Sequence, residues 1–329
     1  MELSIGLIGA GVMGRGHAEF IRDHISESRV VAISDLDQSR GSSLAKDLGG
    51  EVRVFDSPQE MIDRGNLNAL IIASPDALHV KHVRLAIDAN LPTLCEKPMA
   101  TNMRDAEQIS YEIATFEKSV GRRMIHFGFM RRFDPSYLKL RTLIESGEYG
   151  EPILVRTIAR NVTSPGITTE GLYTNIAVHD FDIWRWLLKD EWVSVTSHYS
   201  KSSSLSPKEL GEPLVFAAKL EGGVLVVGDI VANDNYGYDL RTEVLCETGS
   251  LEIGIFGDVY VRAHHQAQAS QGGLMVENWI PRFKDAYIAE LRAWTSTVAT
   301  GVEHPDLATA EDAFAATAAC FLAIDSVAR

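Results

Sequence analysis

The chain is poor in the features that would mark it for several common roles. Its 329 residues contain three cysteines, Cys95, Cys246 and Cys320, far apart and with no CxxC pair. That spacing offers neither a disulfide framework nor a zinc site, and it fits a reducing compartment. Positive charge is short as well: 31 lysines and arginines against 45 acids leave a formal net charge of −14. A general nucleic-acid binder needs a basic face to neutralise phosphates, so that class is set aside. Long apolar runs are also missing. The uncharged stretch at residues 313–324 falls well short of the about 20 residues that cross a bilayer. The apolar start LSIGLIGAGVMG is short, glycine-rich and preceded by Glu2, unlike a signal peptide. A cytoplasmic protein is expected, with no metal, membrane or nucleic-acid partner.

What remains is an ordinary globular composition, 45% hydrophobic and 23% charged, in a chain long enough for about two domains. A boundary near residue 128 is expected, giving domains 1–128 and 129–329. Residues 3–8, LSIGLI, form a strand candidate that runs into Gly9-Ala10-Gly11-Val12-Met13-Gly14. A helical pattern follows at once, and a second apolar run, VVAIS at 30–34, ends at Asp35. This is GxGxxG in the context its chemistry needs: strand, glycine turn, helix, strand, then an acid about 20 residues on. Gly9 permits the tight turn, Gly11 lets a pyrophosphate approach the backbone, and Gly14 lets the helix pack on the strand. The helix N-terminus, at Val12 and Met13, supplies N–H groups and positive dipole to the anion. Asp35 can accept hydrogen bonds from ribose hydroxyls and repels a 2′-phosphate, which points to NAD over NADP. Arg40 is the nearby residue that would oppose this preference.

The α/β alternation continues. ALIIAS (69–74), PTLCE (92–96) and RMIHFGF (123–129) read as strands, separated by helical stretches over 77–90 and about 102–118. Such alternation predicts a doubly wound parallel sheet, whose ligands bind beyond the carboxyl ends of the strands. The loops Gly9–Gly14, Ser74–His79 and Glu96–Met99 therefore matter, with Ser74 and Glu96 as cofactor candidates. In CEKPMA (95–100) the proline disfavours helical geometry at Lys97, keeping it extended where its ammonium can enter the crevice.

From Asp134 the texture changes. The helical PSYLKLRTLIESG and the strand-like EPILVRTIARN are followed by GLYTNIAVHDFDIWRWLL at 171–188. This last stretch is apolar on most sides, yet Asn175, His179 and Asp182 recur at i, i+4 and i+7, one stripe of a 3.6-residue helix. Burying such groups unpaired would cost about 1–3 kcal/mol each, so the stripe should face a site. Short β-like runs come next, with turn signals at Gly222-Gly223 and Thr248-Gly249-Ser250. Two helices are expected at about 283–300 and 309–328. Residues 200–206 and 264–273 read as exposed loops, and His264-His265 lacks further ligands at metal-binding spacing.

Taken together, GLIGAGVMGRGH, EKP, GFMRRFDPSY, NIAVHDFDIWRWL, NYGYDLRTEV and NWIPRFKDAY resemble the Gfo/Idh/MocA oxidoreductases, most strongly the bacterial inositol dehydrogenase branch. The resemblance implies a Rossmann domain followed by an α+β domain with an open, mostly antiparallel sheet. Such sheets pair between subunits, so a homo-oligomer is expected, a dimer or a homotetramer. It implies NAD as cofactor and a polyol or sugar as substrate, oxidised at a secondary hydroxyl. Lys97 matches the family lysine that orients the reacting hydroxyl, and His179 matches the catalytic histidine, the general base. Where the family carries an aspartate, this chain has Asn175. Asp182 matches a position that touches polyol hydroxyls; Arg131, Asn161 and Tyr236 are further candidates, and His79 matches a residue near the cofactor. The stripe would then face the crevice between the domains. Three alternatives stay open: a sugar or glycoside dehydrogenase, a glycosidase using NAD transiently for elimination, and a non-catalytic NAD or sugar sensor.

Overall fold

The computed structural model describes residues 2–204, 206–254 and 278–327. The chain divides into two compact units, Met1–Phe133 with Asp285–Thr317, and Asp134–Lys284 with Ala318–Arg329.

In the first unit the elements run β1 (Leu3–Ile8), α1 (Val12–His24), β2 (Ser28–Ser34), α2 (Gln38–Leu48), β3 (Arg53–Phe55), α3 (Pro58–Arg64), β4 (Ala69–Ile72), α4 (His79–Asp88), β5 (Thr93–Glu96), α5 (Met103–Val120) and β6 (Ile125–Gly128). The strands pair in parallel in the order β3-β2-β1-β4-β5-β6, so the direction of winding reverses between β1 and β4. That reversal is where doubly wound sheets bind ligands. Helices α2 and α3 and strand β3 lie in a stretch for which apolar periodicity suggested nothing. Their signals are local: Asp37 accepts from the Ser39 N–H to cap α2, and Ser57 accepts from the Glu60 N–H to cap α3, with Pro58 in its first turn.

A single cut near residue 128 does not describe this division, because residues 285–317 belong to the first unit. The reason is pairing at the β6 edge. The Phe127 N–H donates to the Ala308 carbonyl at 3.0 Å, His126 Nε2 meets Glu303 Oε1 at 2.6 Å, and Arg132 reaches Asp312 at 3.3 Å.

The second unit contains α6 (Pro135–Glu145), β7 (Pro152–Arg160), a single turn α7 (Thr169–Gly171), a π-helical segment Leu172–Ala177, α8 (Val178–Leu188), β8 (Trp192–Tyr199), β9 (Leu214–Leu220), β10 (Leu225–Val231), β11 (Asp239–Cys246) and β12 (Ser250–Ile253). Helices α9 (Trp279–Thr300) and α10 (Ala310–Val327) each begin in one unit and end in the other. Helix α9 starts four residues earlier than the apolar pattern predicts, since Pro281 is tolerated in a first turn. The sheet order is β12-β11-β7-β10-β9-β8. It is mixed: β7 and β10 are parallel and the other pairings antiparallel. Parallel neighbours need a crossover longer than a hairpin, and residues 161–224, with α8 inside them, provide it.

Along β7, Val155, Thr157 and Ala159 are buried while Arg156 is exposed and Ile158 and Arg160 are half-buried. The buried face is covered by α8, where the Phe181 ring packs tilted against Phe216 at 5.1 Å and the Trp192 indole N–H donates to the Phe181 carbonyl at 3.0 Å. The other face keeps its charges in cross-strand pairs, Arg156 with Glu243 and Arg160 with Asp229.

Candidate functional site

The glycine loop of the first unit is shaped by backbone contact. Gly9 has φ of +98°, and a Cβ there would run into the Ala73 carbonyl. A Cβ on Gly14 would run into the Gly9 carbonyl, so α1 packs on β1 only with hydrogen at that position. Gly11 differs: nothing lies within 4 Å of a Cβ built on it. The backbone is thus open at the one glycine where a pyrophosphate must approach. Helix α1 has no side-chain cap and no acid in its first turn, so its N–H groups and dipole are left for an anion. Val12 is exposed, Met13 half-buried.

At the end of β2, Asp35 is held by two backbone donors: Oδ2 accepts from the Ala10 N–H at 2.6 Å and Oδ1 from the Asp37 N–H at 2.7 Å. Its carboxylate is therefore fixed beside the glycine loop. Arg40 pairs with Asp37 at 3.4 Å, which offsets its charge and weakens the case for a 2′-phosphate. An open Gly11, an uncapped helix end and an acid fixed beside them fit NAD.

The loops after β4 and β5 are tied by histidines. Ser74 Oγ lies 2.9 Å from His82 Nδ1, and the Ser74 carbonyl lies 2.9 Å from His79 Nε2. The other nitrogen of His79 is 2.8 Å from the Pro98 carbonyl. Both ring nitrogens of His79 are thus committed to backbone. Glu96 is buried and meets His17 Nε2 at 2.7 Å. Burial opposes its charge, but the hydrogen bond and charge of His17, together with the charges of Lys97 and His79, outweigh that and hold the carboxyl below its ordinary range. Lys97, half-buried, lies between Glu96 and Pro98, both buried. Arg131 is buried in the 3-10 turn Met130–Phe133 that follows β6. His17 and His82 were not singled out in the sequence, and nothing in their local pattern distinguishes them.

In the second unit the stripe departs from a uniform 3.6-residue helix. Asn175 lies in the π-helical segment, whose bonds close i→i+5, while His179 and Asp182 lie in α8. The wider coil changes the phase of Asn175 relative to the other two. Exposure falls along the stripe: Asn175 is half-buried, His179 is 9% exposed and Asp182 is 1% exposed. Asp180, between them, turns to the sheet and accepts from the Thr157 hydroxyl at 2.9 Å.

Asn161 follows β7, and its carbonyl accepts from the Asp234 N–H at 3.0 Å, so the carboxyl ends of β7 and β10 lie together. The Tyr236 hydroxyl donates to Asp239 at 2.8 Å and accepts from Arg160 at 3.1 Å, a network that ties it into the sheet. Asp234 beside it is pushed up to about 7, chiefly by burial. His264 and His265 lie outside the described residues. Among those described, no group of three or more His, Cys, Asp or Glu side chains could hold a metal ion, and no helix is long and apolar enough to cross a membrane.

The sequence model of an oxidoreductase family with an NAD-binding Rossmann fold matches residues 3–121, and that of the Gfo/Idh/MocA C-terminal domain matches residues 137–252. The chain is 36% identical over 302 residues to inositol 2-dehydrogenase 1 of Saccharopolyspora erythraea, covering 92% of this chain and 87% of that protein. It is 34% identical over 329 residues to inositol 2-dehydrogenase 2 of the same organism, covering 100% and 94%. Among solved structures it is similar to myo-inositol dehydrogenase from Lactobacillus casei in complex with NAD(H) and myo-inositol. The TM-score there is 0.89 at 26% identity, over 100% of this chain and 95% of that one.

His82 supplies a test of the first unit's acid sensitivity. Burial, with the charges of His79 and Lys81, pushes it down to about 4 from an ordinary 6.5. A depressed histidine contributes stability that is complete above pH 6.5 and is lost as pH falls toward 4. Urea midpoints measured between pH 7.5 and 4.5 should fall less steeply in His82→Gln than in the parent. Parallel curves would show that His82 does not couple folding to protons.

Proposed function

Since the chain belongs to the Gfo/Idh/MocA oxidoreductases, we propose that it is an NAD-dependent dehydrogenase of an inositol-class cyclitol, oxidising one secondary ring hydroxyl. The observation that carries this reading is the polar series Asn175, His179 and Asp182 along the π-helical segment and α8, whose other buried side chains, apart from the sheet-facing Asp180, are apolar. It occurs in a chain whose full-length relatives are named inositol 2-dehydrogenases.

Gly9, Gly11, Gly14 and the N–H groups at Val12 and Met13 would hold the cofactor's pyrophosphate, and Asp35 its adenosine ribose. Ser74 and the Glu96–Lys97 segment would border its reactive end. NAD, when bound, supplies the acceptor for the hydride lost from the carbinol carbon. His179 takes the hydroxyl proton as general base, a role worth about 10²–10⁴ in rate. The Lys97 ammonium donates to the same oxygen and stabilises the developing alkoxide. Asp182, Asn161 and Arg131 are read as contacts for the remaining hydroxyls. Tyr236 serves the site indirectly, through the sheet network that engages its hydroxyl.

The open face of the second sheet is read as the surface on which copies associate. Leu154, Ile158, Val227 and Leu245 are half-buried there, and Arg156, Arg160 and Arg241 are each paired with an acid within the sheet. A pair of such faces makes a dimer, and two pairs make a homotetramer. The three cysteines are buried and form no disulfide, which supports a cytoplasmic setting.

A panel of inositol isomers, monosaccharides and glycosides, followed by NADH absorbance, tests the assignment. NADH should appear with at least one inositol; NADH only with monosaccharides or glycosides, or none at all, would sink the cyclitol assignment. For the roles, Lys97→Ala should lower turnover by at least about 10²-fold, the scale of one positioned donor, while NAD still binds. Near-normal turnover would return Lys97 to a surface role.

Asn175 generates the third expectation. A carboxylate at this position would favour the charged imidazole at His179, whereas an amide holds the ring without charge. Asn175→Asp should therefore move the acidic limb of the kcat/KM profile to higher pH, because the base stays protonated longer. Coincident limbs would mean that the two positions are not coupled.

A further inference from the structure

We propose that His79 carries hydrogen on both ring nitrogens and, as an imidazolium, is a positioning residue that clasps the loop after β4 to the segment holding Lys97. The inference rests on the reading of Lys97 given above for its functional consequence, but not for the state of the ring.

The geometry leaves little freedom. Nε2 lies 2.9 Å from the Ser74 carbonyl and Nδ1 lies 2.8 Å from the Pro98 carbonyl, with the residue 1% exposed. A carbonyl oxygen only accepts. A neutral imidazole has one N–H and one lone pair, so whichever tautomer formed would press a lone pair against an oxygen lone pair. Away from water, that arrangement also leaves a buried acceptor unsatisfied. Only the doubly protonated ring satisfies both contacts.

The surroundings suit a cation there. Glu96 is buried in the same stretch, and the charges of His17, Lys97 and His79 help hold its carboxyl below the ordinary range. Lys97 and Lys81 are the neighbouring cations and Asp76 a further nearby acid. The adjacent imidazole takes the opposite role: His82, bonded to Ser74 Oγ, is pushed down to about 4 and is neutral. Ser74 is thus gripped twice, at its carbonyl by His79 and at its hydroxyl by His82.

The consequence falls on Lys97. The residue before it, Glu96, is anchored by its side chain to His17 on α1, and the residue after it, Pro98, by its carbonyl to His79 on α4. With both neighbours fixed to separate helices, the Lys97 backbone is pinned on each side. Its ammonium then needs only side-chain ordering to reach its working position. Pre-positioning of this kind carries weight because a displacement of about 1 Å at a reacting centre can cost about 10²-fold in rate.

The experiment is long-range proton–nitrogen correlation on the full chain labelled with ¹⁵N-histidine, without cofactor or substrate, at pH 7. His79 signals are identified by their loss in His79→Gln, or, should that variant fail to fold, by elimination through single His→Gln variants of the other nine of the chain's 10 histidines. Both His79 nitrogens should show the protonated type of shift. One nitrogen of the unprotonated type in folded protein overturns the proposal. The positioning role is read separately in His79→Gln, whose amide can donate from one nitrogen only. There kcat should fall by about 10²-fold while the Kd for NAD changes less than about threefold. Unchanged kcat in a folded His79→Gln protein overturns that role. Normal turnover in Lys97→Ala would instead fault the reading of Lys97 and leave the nitrogen shifts unaffected.

Discussion

The close approach of α1 to β1 and β4 is the constraint on which the first unit depends. It exists only because Gly14 lets the helix backbone touch the Gly9 carbonyl, and Gly9 in turn lies against the backbone at Ala73. A methyl group at either position would push the helix off the sheet edge. With the helix in place, its uncapped N-terminus lies at the carboxyl end of β1, at the point where the strand order reverses. Dipole, N–H groups and the Asp35 carboxylate then converge without any further device. On the proposed reading the pyrophosphate site is a by-product of backbone packing, which is why so few side chains specify it.

The second unit solves a different problem, how to keep polar side chains on a helix that must also cover a sheet. The sheet-facing side of α8 is closed by Phe181 against Phe216, and its one acid there, Asp180, is satisfied by Thr157. His179 and Asp182 then occupy the remaining angular range. The preceding π-helical segment adds width to the coil just before His179, a distortion that ordinary helix propensity does not favour and that recurs at functional positions.

Much of this was legible in the sequence, and what was not has physical causes. Strand β1, the glycine turn, Asp35 and the strand before Lys97 carry strong local signals: apolar runs bounded by glycine, an acid or Lys-Pro. Helix α2 buries only Gly41, Leu44 and Ala45 and α3 only Met61, and both start at side-chain caps, so apolar periodicity passed over them. The parallel pairing of β7 with β10 could not be read, because register between distant strands leaves no trace in either one alone. The roles of His17 and His82 were hidden for the same reason. Each acts through a partner 79 and 8 residues away, respectively, and a lone histidine in a helical stretch looks like any other. The return of residues 285–317 to the first unit was missed because a boundary is sought where texture changes, whereas membership is decided by contacts such as Arg132 with Asp312.

That return shapes how the protein comes to exist. The first unit draws on contacts separated by 177 and 180 residues, His126 with Glu303 and Arg132 with Asp312. During synthesis the strands of the parallel sheet emerge well before the segment that meets the β6 edge, Glu303 following His126 by 177 residues. Loop closure over that span is slow compared with local helix formation, and an uncovered strand edge is prone to pair with other chains. The nascent chain therefore passes through an interval in which β6 has emerged without the segment that pairs with its edge.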